Sequence, residues 1–153
     1  MQVFLIGTPF ETANELDSRR LNKQIIECKQ ILYAINRNSG AWANHPIVDM
    51  YKFHVDFLEY YLKTLELYRD GRLGESVKVS EIAMMCRPPF FEQGYLDNMK
   101  RRLYTKDKNF YSKWKYLGES DVNWYFGSDY QWRFYRNGKL VNIIPSGECR
   151  IIC

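Results

Sequence analysis

The sequence has few of the residues that bind zinc in proteins. It contains two histidines and four cysteines, and the cysteines at positions 28, 86, 149 and 153 form no Cys-x-x-Cys pair. A structural zinc site normally needs four such side chains at close spacings. We therefore expect reduced thiols, no metal site and no bound cofactor.

The sequence also lacks a long apolar segment. No apolar run approaches the roughly 18 to 20 residues that a membrane-spanning helix needs. The start of the chain, residues 1–9, has neither the basic region nor the long apolar region of a secretory signal. We therefore expect a cytoplasmic protein that has no membrane partner.

The overall composition is typical of a folded protein. Hydrophobic residues make up 46% of the chain and charged residues 26%, and 153 residues are about the length of one domain. We expect a single domain over residues 1–153 that is a monomer. Its helical part should cover residues 1–118, and a β extension should cover residues 119–153.

Helical periodicity dominates the first part of the sequence. A helix is predicted over residues 12–37, with an apolar face formed by Leu21, Ile25, Cys28, Leu32 and Ile35. A second helix should begin with Asn44 as its N-cap and end at Gly71. A shorter helix is predicted over residues 77–86 and a longer one over residues 93–114.

The last forty residues change to a strand pattern. Residues 122–126, 131–136 and 139–143 alternate and are rich in aromatic and β-branched side chains, and Asn137-Gly138 is a strong signal for a two-residue hairpin turn. The predicted fold class is therefore mainly α, a small helical bundle with a C-terminal β-hairpin or small antiparallel sheet.

Positive charge is concentrated in one segment. The chain has a net charge of +4, but residues 100–116 contain seven basic residues and one acidic residue, a net +6, interleaved with five aromatic residues. Such a surface suits nucleic acid, because cations bind phosphates and rings stack on bases. A solvated helix face with its aromatic side chains in the core is the alternative, and the residue types leave both open.

Common catalytic motifs are absent, including the P-loop, Gly-x-Ser-x-Gly and His-Glu-x-x-His. The remaining candidates are Arg20, Lys23 and Glu27, a carboxylate beside two cations on one predicted helix. An ordinary ion pair between Lys23 and Glu27 is the simpler interpretation, and His45 could simply complete a helix cap. These residues alone indicate a basic, α-rich domain that could bind nucleic acid.

Four segments together resemble a known family. Residues 1–5, 16–32, 42–46 and 103–111 resemble, in the same order, the pyrimidine-dimer DNA glycosylase family, typified by phage endonuclease V. The resemblance implies a small helical bundle in which the start of the chain is threaded between helices. It also implies double-stranded DNA as the partner, and a location in the cytosol of a bacterium or a phage-infected host.

The resemblance implies that the nucleophile is the α-amino group of Met1, which attacks C1′ of a damaged nucleotide and forms an imine. Gln2 is too large for normal removal of Met1, and an α-amine has a reference pKa of about 7.7 to 8.0, well below that of lysine. The essential carboxylate of the family falls on Glu27, which would stabilise the imine and move a proton from C2′.

The resemblance also implies a set of DNA contacts. Cationic side chains would hold phosphates, two residues would border the pocket, and Gln2 would lie beside the nucleophile. The phosphate-binding set is Arg19, Arg20, Lys23, Arg101, Arg102 and Lys106, and the bordering pair is Asn44 and His45.

Three positions depart from phage endonuclease V. Gln2 is neutral where that enzyme has a basic residue, and Ile26 and Gln30 stand where it has arginines. The expected function is a DNA glycosylase and abasic-site lyase that excises a damaged or modified pyrimidine. The alternative is a non-catalytic DNA-binding or anti-defence protein on the same fold.

Overall fold

A computed structural model of the chain describes residues 2–40, 42–71 and 88–145. These residues form five α-helices, one 3₁₀ helix and three strands. The helices are α1 (Pro9–Glu15), α2 (Ser18–Arg37), α3 (Pro46–Tyr51), α4 (Val55–Arg69), α5 (Gln93–Lys106) and the 3₁₀ helix Ser112–Leu117. The strands are β1 (Val122–Phe126), β2 (Gln131–Arg136) and β3 (Lys139–Pro145). The helix predicted over residues 77–86 lies outside the described residues.

The first residues of the chain run extended through the core. Val3 and Leu5 are fully buried, and residues from two helices hold their backbone. The hydroxyl of Tyr95 on α5 donates to the carbonyl of Val3 over 3.2 Å, and the hydroxyl of Tyr61 on α4 donates to the carbonyl of Phe4 over 2.9 Å. The start of the chain is therefore threaded between helices, as the family resemblance implies.

The helix predicted over residues 12–37 is two helices. Thr8 begins α1 with a capping box, Leu16 ends it, and Asp17 caps α2 by accepting from the backbone N–H of Arg20. Asp17 also receives a hydrogen bond from Tyr111, a residue that follows α5. An N-cap aspartate competes with the helix backbone for hydrogen bonds, which explains the break.

The buried face of α2 also differs from the prediction. Leu21, Ile25 and Cys28 are buried as expected, but Gln24, Ile31 and Ala34 are buried with them, and Leu32 and Ile35 are only partly buried. The buried face is thus turned toward Gln24, which makes hydrogen bonds to the extended start of the chain.

The second predicted helix is also divided, into α3 and α4. Its N-cap is His45 and not Asn44, because Nδ1 of His45 accepts a hydrogen bond from the backbone N–H of Ile47 over 3.1 Å. The helix is interrupted at His54, whose backbone lies outside the helical region at φ −132° and whose ring packs edge to face on Phe90.

The helix α5 ends at Lys106, earlier than the predicted residue 114. Asp107 has an extended backbone, and its carboxylate accepts from the N–H of Phe110, which forms a turn before the 3₁₀ helix. None of the helices within the described residues is long and apolar enough to cross a lipid bilayer.

The C-terminal part is the small antiparallel sheet expected from the strand pattern. Its order is β1-β2-β3, and β3 extends to Pro145, two residues beyond the prediction. Asn137 and Gly138 both have positive φ, at 52° and 76°, as a two-residue hairpin between right-twisted strands requires. The strand β1 packs against α3 and α5, which places the sheet beside the helical core.

Candidate active site

A pocket of about 290 Å³ lies where the start of the chain, α2, α5 and β1 meet. Seven of the residues predicted for the functional site line it, together with three that the sequence analysis did not single out. The predicted residues are Gln2, Arg19, Arg20, Lys23, Glu27, Arg102 and Lys106; the others are Phe4, Gln24 and Asn123.

Glu27 is the one acidic side chain among the residues that line this pocket. Its side chain is 15% exposed, and its carboxylate lies 3.7 Å from Nζ of Lys23. The ordinary ion pair is therefore present, but Lys23 is 71% exposed, and such a pair contributes about 0.3 to 0.5 kcal/mol. A carboxylate accepts several hydrogen bonds, so this single ion pair leaves capacity for a ligand.

Cations outnumber this carboxylate in the pocket. Burial, followed by repulsion from Arg102, Lys23 and Arg20, lowers the pKa of Lys106. Burial also lowers the pKa of Arg102. The pocket is therefore a region of positive potential, and a phosphate would relieve the repulsion.

The orientation of Arg20 is fixed by its neighbours. Its guanidinium donates to Asp17 over 3.1 Å and lies 5.8 Å from the centre of the Tyr111 ring. Although burial raises the pKa of Asp17, hydrogen bonds from Tyr111 and Arg20 bring it below its usual value. Asp17 is thus an anion near neutral pH, and it holds Arg20 at the pocket.

Gln24 fixes the chain start at the pocket wall. Its Nε2 donates to the carbonyl of Gln2 over 2.8 Å, and its Oε1 accepts from the N–H of Phe4 over 2.6 Å and from the hydroxyl of Tyr61 over 3.1 Å. Gln24 is 2% exposed. The sequence signal for this role was a polar residue beside the apolar face of a helix.

Three predicted DNA-binding residues do not line the pocket. Nε of Arg101 donates to the carbonyl of Leu117 over 2.8 Å, so it holds the segment that precedes the sheet. Asn44 is exposed in the turn before α3. Their DNA contacts, and that of His45, remain predictions.

His45 has a structural role in the cap of α3. Its ring lies edge to face against Trp42 at 5.4 Å and against Tyr125 at 5.6 Å. Burial lowers the pKa of His45 to about 4, so its imidazole is neutral near pH 7. A neutral ring that caps a helix cannot bind phosphate as a cation does.

Ile26 and Gln30, which stand where phage endonuclease V has arginines, line a separate and largely apolar groove of about 450 Å³ with Tyr33 and Trp42. Ile26 is 57% exposed and Tyr33 is 60% exposed. The flank of α2 therefore carries no positive charge at Ile26 and Gln30.

Within the described ranges, no three His, Cys, Asp or Glu side chains come together as a metal ion would require. Cys28 is a free thiol, and burial raises its pKa. Cys86, Cys149 and Cys153 lie outside the described residues.

One carboxylate and several cations line this pocket, and such a set of charges suits a phosphate-bearing ligand. The family model described as pyrimidine dimer DNA glycosylase matches residues 1–66. This match supports the resemblance over the segment that contains the chain start, α2 and Glu27. No curated protein and no solved structure matches the chain significantly.

Proposed function

We propose that the chain is a DNA glycosylase with abasic-site lyase activity, acting on a damaged or modified pyrimidine through the α-amine of Met1 and the carboxylate of Glu27. The observation that carries the proposal is that Gln2 and Glu27 line the same pocket. The family model that matches residues 1–66 supports the glycosylase assignment.

Covalent geometry limits where the amine can be. Met1 is outside the described residues, but adjacent Cα atoms are about 3.8 Å apart, and the backbone of Gln2 is held by Gln24. The proposal therefore requires the amine to reach the pocket from the carbonyl of Gln2, which Gln24 holds in place.

In the proposed reaction the amine of Met1 attacks C1′ of the target nucleotide, and the base leaves with the electrons of the glycosidic bond. Loss of a proton from nitrogen and opening of the sugar ring give an imine between nitrogen and C1′. Glu27 then accepts a proton from C2′, and the electrons of that C–H bond expel the 3′ phosphate.

The remaining cations bind and orient the DNA. Arg19 and Lys23 are exposed at the pocket, and Arg20 is held there by Asp17. Contacts of these side chains with phosphates would fix the duplex while the target nucleotide leaves the stack, which costs a few kcal/mol.

Borohydride trapping on a duplex with one abasic site tests the proposal. Borohydride reduces an imine to a stable amine, so a covalent protein–DNA product is expected, and mass spectrometry should place it on the peptide that contains Met1. Lys23→Arg and Lys106→Arg serve as matched controls, since each removes a primary amine but keeps the charge. Trapping should persist in both variants.

Two results would contradict the proposal in different ways. An adduct on Lys23 or Lys106 would show imine chemistry with a different nucleophile. Binding to duplex DNA with no trapped product would support the alternative, a DNA-binding or anti-defence protein without turnover.

A further inference from the structure

Three buried polar atoms at the pocket lack a hydrogen-bond partner among the described residues. They are Oε1 of Gln2, Nε of Arg102 and Oδ1 of Asn123. Among the described residues, just one other buried side-chain atom, the hydroxyl oxygen of Tyr51, lacks a hydrogen-bond partner. Buried polar groups in native proteins are nearly always paired. A ligand that enters this pocket can therefore supply partners to all three atoms.

One of the three residues, Asn123, belongs to the C-terminal sheet, and hydrogen bonds of its neighbours fix its position. Asn123 is on β1, and Nδ2 of the buried Asn98 donates to the carbonyl of its neighbour Val122 over 2.9 Å. Ser120, just before the strand, donates through its hydroxyl to Oδ1 of Asn98 over 2.8 Å. Because Asn98 is on α5, these hydrogen bonds fix Asn123 relative to Arg102 on the same helix.

The unpaired atoms form a specific pattern of two acceptors and one donor. A ligand that pairs with all three offers two N–H donors and one acceptor. A base with an exocyclic amine beside an unprotonated ring nitrogen, as in cytosine, offers this set. The corresponding edge of thymine has one N–H between two carbonyl oxygens, which is a poorer match.

The size of the pocket agrees with one base. A volume of about 290 Å³ equals roughly ten water molecules at about 30 Å³ each. This is enough space for a single nucleobase. A base can reach such a pocket only after leaving the helical stack.

We propose that Gln2, Arg102 and Asn123 form a recognition site for the base of an extrahelical nucleotide with an exocyclic amine, a cytosine-type pyrimidine, and that Asn123 determines this specificity. The proposal deepens the proposed function and rests on it, since the same pocket holds Glu27. It also gives the C-terminal sheet a role in substrate selection.

Equilibrium binding to three duplexes tests the proposal. Each carries one target position opposite cytosine, and the target is cytosine, thymine or an abasic site. The wild-type chain should bind the cytosine target about 10-fold more tightly than the thymine target, because matched and mismatched base edges differ by about that much. In Asn123→Leu this ratio should fall to near 1.

Matched variants separate recognition from folding. Asn142→Leu makes the same chemical change on β3, away from this pocket, and should keep the preference for cytosine. Asn123→Asp retains an acceptor oxygen and should also keep it. Asn123→Ala adds no bulk to the pocket and should lose the preference as Asn123→Leu does.

Equal binding of both targets by the wild-type chain, or an unchanged preference in Asn123→Leu and Asn123→Ala, would overturn the proposal. Trapping on the abasic duplex reports separately on the proposed function, because that substrate has no base to recognise. A preference for cytosine without trapping would leave the recognition site in place and remove the imine chemistry.

Discussion

The side-chain amide of Gln24 donates a hydrogen bond of 2.8 Å to the backbone carbonyl of Gln2. Gln24 precedes Glu27 by three residues on α2, so one helix carries both the carboxylate and the residue that fixes the start of the chain. In the proposed reaction, one turn of α2 therefore sets the distance between the held chain start and Glu27, the carboxylate that accepts the C2′ proton.

Gln24→Met should destabilise the fold and reduce lyase activity. The substitution nearly keeps the volume but leaves the carbonyl of Gln2 and the N–H of Phe4 without their partner, and buried unpaired groups cost about 1 to 3 kcal/mol each. We expect a loss of about 2 to 4 kcal/mol in the free energy of unfolding, measured with urea. Gln30→Met, the same change at an exposed position on α2, should cost less than about 0.5 kcal/mol.

Glu27→Gln should abolish strand cleavage while DNA affinity stays within a few-fold of wild type. The amide keeps the shape of the side chain but cannot accept the proton from C2′. The lost ion pair with the exposed Lys23 is too weak to unfold the chain. Single-turnover cleavage of an abasic duplex and a binding titration measure the two effects, and cleavage at the wild-type rate would exclude the assigned role.

Blocking the N-terminus should eliminate both trapping and cleavage. An acetylated amine is an amide and no longer a nucleophile, and an uncleaved N-terminal tag would displace the amine from the pocket. DNA binding should fall much less, because the cations remain. A C-terminal tag on the same chain is the control, and full activity from an acetylated chain would show that Met1 is not the nucleophile.

Arg19→Ala and Lys106→Ala should each reduce the salt dependence of DNA binding. Each lost phosphate contact lowers the slope of log affinity against log salt by about 0.9 for duplex DNA. Damaged and undamaged duplexes should be affected alike, since phosphate contacts carry no base information. Lys63→Ala removes an exposed cation of α4 that does not line the pocket, and an equal decrease in that variant would argue against a specific binding surface.

Acid should destabilise the protein through His45. The imidazole has a pKa of about 6.5 when unfolded and about 4 when folded. Between these values the unfolded state binds the proton and the folded state does not, so stability is complete above about pH 6.5 and falls as the pH decreases toward 4.

The contribution of His45 to this loss should be on the order of 1 kcal/mol after allowance for solvent screening. His45→Asn keeps a capping acceptor but cannot titrate, and should flatten the pH dependence of urea unfolding between pH 7 and 4.5. His54, whose pKa is also lowered by burial, accounts for a residual slope. An unchanged slope in His45→Asn would show that the ring is not buried as the fold requires.

The elements that could be predicted from the sequence are those set by local patterns. Alternation and the Asn137-Gly138 turn predicted β1 and β2 with the bounds that the structure has. The break at His54 was missed because its cause is distant in the chain, since His54 packs on Phe90. The break at Asp17 has a local signal, an N-cap aspartate, which the continuous apolar periodicity concealed.

The same distinction holds for the candidate site. Residues on α2 and α5 follow from helical spacing and the family resemblance, and most of them line one pocket. Asn123 could not be predicted, because its place depends on how the sheet packs beside α5. Arg101 has the same charge as Arg102, but its side chain donates a hydrogen bond to the carbonyl of Leu117 and does not line the pocket. The pattern of charges along the sequence cannot distinguish these two positions.

The contacts of the extended chain start also determine when the site can form during synthesis. The carbonyl of Val3 accepts a hydrogen bond from the hydroxyl of Tyr95, 92 residues later in the chain. The side-chain amide of Gln2 donates a hydrogen bond to the sulfur of Met99, 97 residues later. A ribosome must therefore complete α5 before these two contacts can form, whereas the contacts with Gln24 and Tyr61 can form earlier. Closing the longer loop is a late event in folding. The pocket that Gln2 and Glu27 line is therefore complete only after Arg102 and Lys106 of α5 have been made.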